Sequence, residues 1–134
     1  MAKLGGSYAY GTPTEKSDVD LVVQLTEDDE GTLRRALGLP EWGVVRIGKL
    51  NLIVARTEAQ YDTWCEGINQ LKRLAPVTRD QAVAHFDKLF DRKNVEQTVN
   101  GADSKTEFEA GMAARADLRA RRGDDTPGGL LPWQ

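Results

Sequence analysis

Two carboxylates, Asp18 and Asp20, head the apolar run of residues 19–25, and a glycine pair, Gly5 and Gly6, lies one short loop upstream. The run is rich in β-branched residues and suits a buried strand, while residues 3–6 read as the end of another strand that breaks into a glycine turn. A spacing of two on an extended chain points both carboxylates to the same face. Two negative charges at the mouth of a buried strand repel unless a cation or hydrogen-bond donors compensate them. Asp-Val-Asp alone is common on solvated surfaces, and glycine-serine turns are common too. Their combination, with an apolar strand behind it, points to a hard divalent cation held by oxygen ligands. Gly5, Gly6 and Gly11 clear side chains from the turn so that main-chain N–H groups can face an anion, and Ser7 adds a hydroxyl donor.

The remaining pattern supplies a sheet and its cover. A helix is expected from a capping Thr26 and an acidic first turn through Leu33, Ala36 and Leu37, with Gly38 and Pro40 ending it. Residues 44–47 and 50–55 read as two strands joined at Gly48-Lys49, a hairpin. Thr57 with Gln60, and Thr78 with Gln81, predict capping boxes. Each precedes an apolar stripe at helical spacing: Tyr61, Trp64, Cys65, Ile68, Leu71 and Leu74, then Ala82, Val83, Phe86, Leu89 and Phe90, with Pro76 between them. The expected fold is therefore α/β (α+β), a small mixed sheet of about four strands covered by two or three helices.

Organisation follows composition. Residues 1–93 form the expected core, and residues 94–122 a lightly packed helical extension in which Ser104 and Glu107 cap a helix poor in large apolar groups. Residues 123–134 are expected to be a flexible tail carrying Leu130, Leu131 and Trp133 as an apolar hook. The chain of 134 residues suits one small domain, and a formal charge of −3 argues against a broad nucleic-acid-binding face. No stretch approaches a membrane span, and residues 1–6 lack the apolar core of a signal peptide, so no membrane association and a cytoplasmic location are expected. Cys65 is the only cysteine, which excludes an internal disulfide, and reads as a packed thiol rather than a nucleophile.

The string from Gly5 to Asp20 resembles the active-site signature of the DNA polymerase β-like nucleotidyltransferase superfamily: Gly-Ser, a short loop with another glycine, then Ser-Asp-x-Asp leading into an apolar strand. Here these are Gly6-Ser7, Gly11 and Ser17-Asp18-Val19-Asp20, and the likeness covers roughly residues 4–25. The resemblance implies that Gly6 and Ser7, with Gly11 and Ser17, hold a nucleoside triphosphate such as ATP, and that Asp18 and Asp20 bind Mg2+, with Mn2+ as an alternative. It implies transfer of a nucleotidyl group to a hydroxyl on a protein, an RNA or a small molecule. Small members include antitoxin-like proteins that modify a partner toxin, and related enzymes occur in bacteriophages. A homo-oligomer is compatible with such members.

Two departures from the family pattern stand out. Members usually supply a third carboxylate from a later strand, and the corresponding position here, flanked by apolar residues, is Asn51, a neutral oxygen that cannot act as a base. Glu41, Glu58 and Asp62 are candidate substitutes. Many small members also have a helix before the glycine-serine strand, whereas residues 1–4 alone precede it here. The segment 104–122, a second subunit or a minimal natural form would account for that. Asn51 supports a second reading, a nucleotidyltransferase-like scaffold with little catalysis that works as a binding, inhibitory or antitoxin-type module.

Other residues carry weaker signals. Lys16, Arg46 and Lys49 meet phosphates only if their loops face the glycine turn. His85 reads as an ordinary helix-edge residue. Arg115, Arg119, Arg121 and Arg122 read as a helix surface more readily than as an RNA contact, because acidic residues interrupt them. Tyr8 and Tyr10 either stack on a base or anchor the glycine loop, and Trp42 and Trp64 read as core or interface groups.

Overall fold

A computed structural model describes residues 2–98 and 104–121. Four strands form one mixed sheet in the order β1 (Ala2–Gly5), β2 (Val19–Gln24), β4 (Leu50–Ala55), β3 (Val45–Ile47). β1 runs antiparallel to β2, β2 parallel to β4, and β3 antiparallel to β4, giving the expected mixed sheet. Between them lie α1 (Ser7–Tyr10) and α2 (Glu27–Leu37), and after the sheet come α3 (Glu58–Leu74), α4 (Arg79–Lys93) and α5 (Lys105–Arg121).

Strand alternation sorts the sheet into two faces. Val22, Ile53 and Ala55 face α3 and α4 and join Tyr61, Trp64, Ile68, Leu71, Ala82, Phe86 and Phe90 in the main core. The helices approach closely because Gly67 has no side chain: a Cβ there would come within 2.3 Å of Phe86 Cε1. The Phe86 ring consequently reaches Trp64 at 4.5 Å between centroids, and Phe90 meets the same indole at 5.1 Å. On the opposite face, Leu4, Leu21, Leu52 and Val45 share one cross-strand row, in which Val45 is fully buried and Leu4 is 42% exposed.

Local signals account for most helix boundaries. Thr26 Oγ1 accepts the Asp29 N–H, and Gly38 ends α2 in the left-handed conformation, φ 67°. Thr78 and Gln81 close the expected reciprocal capping box at α4. At α3 the box is only half made. Thr57 Oγ1 accepts the Gln60 N–H, but Gln60 Oε1 accepts from the Arg56 N–H at 2.7 Å and its Nε2 donates to the Glu96 carbonyl at 2.9 Å. The glutamine thus joins α3 to the segment after α4 instead of closing on its own cap. Ser104 Oγ accepts the Glu107 N–H at the start of α5, as expected. The tail, residues 123–134, and Arg122 lie outside the described residues, as do the side chains of Arg115, Arg119 and Arg121.

α2 is tied down by charge. Arg34, 4% exposed, donates to Glu30 Oε2 at 2.9 Å and to the carbonyls of Pro40, Trp42 and Gly43 at 2.9, 3.1 and 2.7 Å. Arg56, just beyond β4, donates to the other oxygen of Glu30 at 2.8 Å. Phe108 and Met112 of α5 face this helix across a cleft of about 690 Å³, which Glu41 also lines.

Candidate active site

The site is one row across the sheet. Gly5 of β1, Asp20 of β2, Asn51 of β4 and Arg46 of β3 are register partners in succession. Residues in such a row project to the same face, so Asp20, Asn51 and Arg46 rise together at the end of the sheet where β2 and β4 begin. Asp18, two residues ahead of Asp20, joins them as the spacing predicts.

The residues after β1 form a short helix rather than an open turn. Gly6 has φ 63° and ψ −157°, a conformation essentially confined to glycine, and its carbonyl accepts from the N–H groups of Ala9 and Tyr10. A Cβ on Gly6 would lie 2.0 Å from Asp20 Oδ2, so the carboxylate rests directly on this residue. Gly11 is equally constrained, with Ser7 Cα 2.8 Å from where its Cβ would stand. Ser7 is the half-buried first residue of α1.

Tyr10 anchors this segment. Its ring packs against the core near Phe86, and its carbonyl accepts the Val77 N–H at 2.8 Å. Burial pushes its hydroxyl pKa up, with the Gly6 backbone opposing and the charge of Asp20 adding to the rise. Tyr8 instead is 43% exposed and reaches the Thr14 carbonyl at 3.4 Å. Ser17 Oγ accepts the Thr14 N–H at 2.8 Å and so closes the loop leading to Asp18. Lys49 Nζ donates to the Glu15 carbonyl, pinning the same loop to the β3–β4 hairpin.

Donors converge on the carboxylates from one side. Asn51 Nδ2 lies 3.2 Å from Asp20 Oδ1 and 3.5 Å from Asp18 Oδ2, and Arg46 Nη2 lies 3.2 Å from the same Asp18 oxygen. Burial raises the Asp20 pKa above the usual range. The Asn51 hydrogen bond lowers it, Asp18 adds to the rise, and the positive charges of Arg46 and Arg79 oppose it. Asn51 Oδ1 is left buried without a partner, which ordinarily costs about 1–3 kcal/mol. A half-turn of the amide presents that oxygen to the carboxylates, an arrangement that favours a cation among three oxygen donors. The donor set therefore fits a hard divalent ion. Among the described residues no group of three acidic, histidine or cysteine side chains is placed to hold a metal, so Glu41, Glu58 and Asp62 do not complete the set.

A nucleotidyltransferase domain model matches residues 2–97 of this chain. The chain belongs to the nucleotidyltransferase domain family. No curated protein and no solved structure matches it. Members of this family act on nucleotides and generally use divalent metal ions, and the match spans all four strands and the helices through α4. Among the described residues no helix is long and apolar enough to cross a membrane.

One contributor, Arg79, escaped the sequence pattern. Arg79 opens α4, where a cation opposes the helix dipole, and its charge acts on Asp20. A basic residue in that first turn was the available signal. Arg46 carried a conditional expectation, and the register settles which way it faces. His85, by contrast, bonds Gln70 Oε1 at 2.7 Å between α3 and α4, and Trp64 belongs to the core.

Proposed function

We propose that this nucleotidyltransferase domain binds a nucleoside triphosphate together with Mg2+ or Mn2+ and transfers its nucleotidyl group to a hydroxyl acceptor on a protein, an RNA or a small molecule. The observation that carries the reading is the Asp18 and Asp20 pair converging beside Asn51, with the Asp20 carboxylate seated on Gly6. In this reading Asp18, Asp20 and the rotated Asn51 amide hold the cation. A bound divalent ion would supply charge neutralisation for the transferring nucleotidyl group and the departing pyrophosphate.

The chain's own residues then have defined tasks. Gly6, Ser7 and Gly11 shape the segment that receives the phosphates, and Ser17 fixes the loop that delivers Asp18. Arg46 and Arg79 add positive charge near the acidic pair. The acceptor oxygen bonds to the α-phosphorus, the bond to the bridging oxygen breaks, pyrophosphate leaves, and the hydroxyl proton passes to water because an amide at Asn51 cannot take it. This missing base favours slow transfer, and it supports a second reading: a catalytically weak or inactive nucleotidyltransferase-like scaffold that works as a protein-binding, inhibitory or antitoxin-type module.

Calorimetric titration with ATP, GTP, CTP and UTP, with and without Mg2+, tests the proposal. Metal-dependent binding of at least one nucleotide, abolished by Asp18→Ala with Asp20→Ala, is expected. Absence of binding to all four removes the enzyme reading and any nucleotide-sensing form of the scaffold. Labelled-nucleotide transfer in a lysate separates them, since tight binding without Mg2+-dependent labelling leaves the scaffold.

A further inference from the structure

The metal reading leaves unexplained why an arginine shares the row of the acidic pair. β3 is a three-residue edge strand in which Val45 is buried on one face and Arg46 rises from the other, beside its register partner Asn51. Its Nη2 lies 3.2 Å from Asp18 Oδ2, the oxygen that Asn51 Nδ2 also approaches at 3.5 Å. An exposed ion pair by itself stabilises little. Its position is what matters: the neutral amide and the guanidinium occupy adjacent places in one row and both spend their donors on the same carboxylate.

Charge counting follows from this arrangement. Asp18 and Asp20 contribute two negative charges, Arg46 returns one positive charge, and Asn51 contributes none. Asp18 and the row together therefore carry about one net negative charge, which the weaker influence of Arg79 on Asp20 lowers further, enough to favour one divalent ion and too little to hold two against their mutual repulsion. A carboxylate at position 51 would face the guanidinium directly and be neutralised by it. Asn51 and Arg46 thus act as a matched pair, each removing a condition for a second ion.

Resting on the metal reading above, we propose that Arg46 is a built-in countercharge in place of a second metal ion, so that the site takes a single divalent cation. Arg46 is a positioning residue here, acting on Asp18.

Titration of the full chain with Mn2+ alone, followed by the paramagnetic resonance signal of the free ion, reads the stoichiometry directly. Wild type is expected to hold one ion. Arg46→Ala should still hold one, bound about two- to fivefold more tightly once the competing cation is gone. Asn51→Asp alone should hold one, and Asn51→Asp with Arg46→Ala should hold two. Two ions on wild type, two on Asn51→Asp alone, or one on a double variant shown by circular dichroism to be folded would each overturn the proposal. The first two arms decide it even if the double variant does not fold. No ion on wild type would sink the metal reading itself, a different result from finding two.

Discussion

At Gly6 the main chain takes φ 63° and ψ −157° while the Asp20 carboxylate packs where a side chain would begin. Gly6→Ala therefore meets two penalties at once, backbone strain of about 1–3 kcal/mol and displacement of Asp20. Urea unfolding is expected to show a loss of at least that strain, together with loss of metal-dependent nucleotide binding. A variant as stable as wild type would mean that the strand-to-helix junction adapts. The glycine was legible in the sequence, since Gly-Ser before a short loop announced a constrained turn. Its partner was not: that Asp20 rests on it depends on β1 pairing with β2 in one register, which residue types alone do not set.

α2 shows a different limit of sequence reading. Its boundaries were visible in Thr26 and Gly38, yet its stripe of apolar residues is thin, and its attachment runs through charges instead. Glu30 and Arg34 lie in a string of polar residues that reads as solvated, but both are 4% exposed. Only the return of the chain at residues 40–43 and of Arg56 beyond β4 makes their burial sensible. Arg34→Ala strips the donors from three carbonyls and one side of Glu30, and should cost about 3 kcal/mol or more in thermal or urea unfolding. Arg34→Lys should recover only part of this, because one ammonium cannot span those acceptors. A loss below about 1 kcal/mol would show that α2 is held by its other contacts.

Across the whole molecule, the helix layer was more legible than the site. Apolar stripes at helical spacing announced α3 and α4, but the close approach that Gly67 permits did not follow from periodicity. That layer also carries a pH-sensitive tie. Lys93 of α4 donates to Glu66 of α3 at 2.6 Å, and this bond holds the Glu66 carboxyl below the usual glutamate range. A depressed folded-state pKa contributes stability above the unfolded value and loses it as pH falls through the folded one. Glu66→Gln should therefore be less stable than wild type at neutral pH, by under about 1 kcal/mol for a pair this exposed. The gap should close in acid, below about pH 4. Unfolding curves at both pH values check the sign; an equal gap at each would remove the ionic explanation.

The row Gly5, Asp20, Asn51 and Arg46 also bears on how the chain reaches this state. Asp20 and Asn51 stand 31 positions apart and meet only after β2 and β4 pair in parallel around the intervening helix and hairpin. Such non-local pairing forms late and slowly, because a long loop must close before any contact repays it. A collapsed chain that has its helices but not its sheet would own every residue of the row and none of its geometry. Under the proposed metal reading, coordination at this row would be a test of finished assembly: a conformer short of the last strand pairing carries the full signature in its sequence yet would have nothing with which to grip an ion.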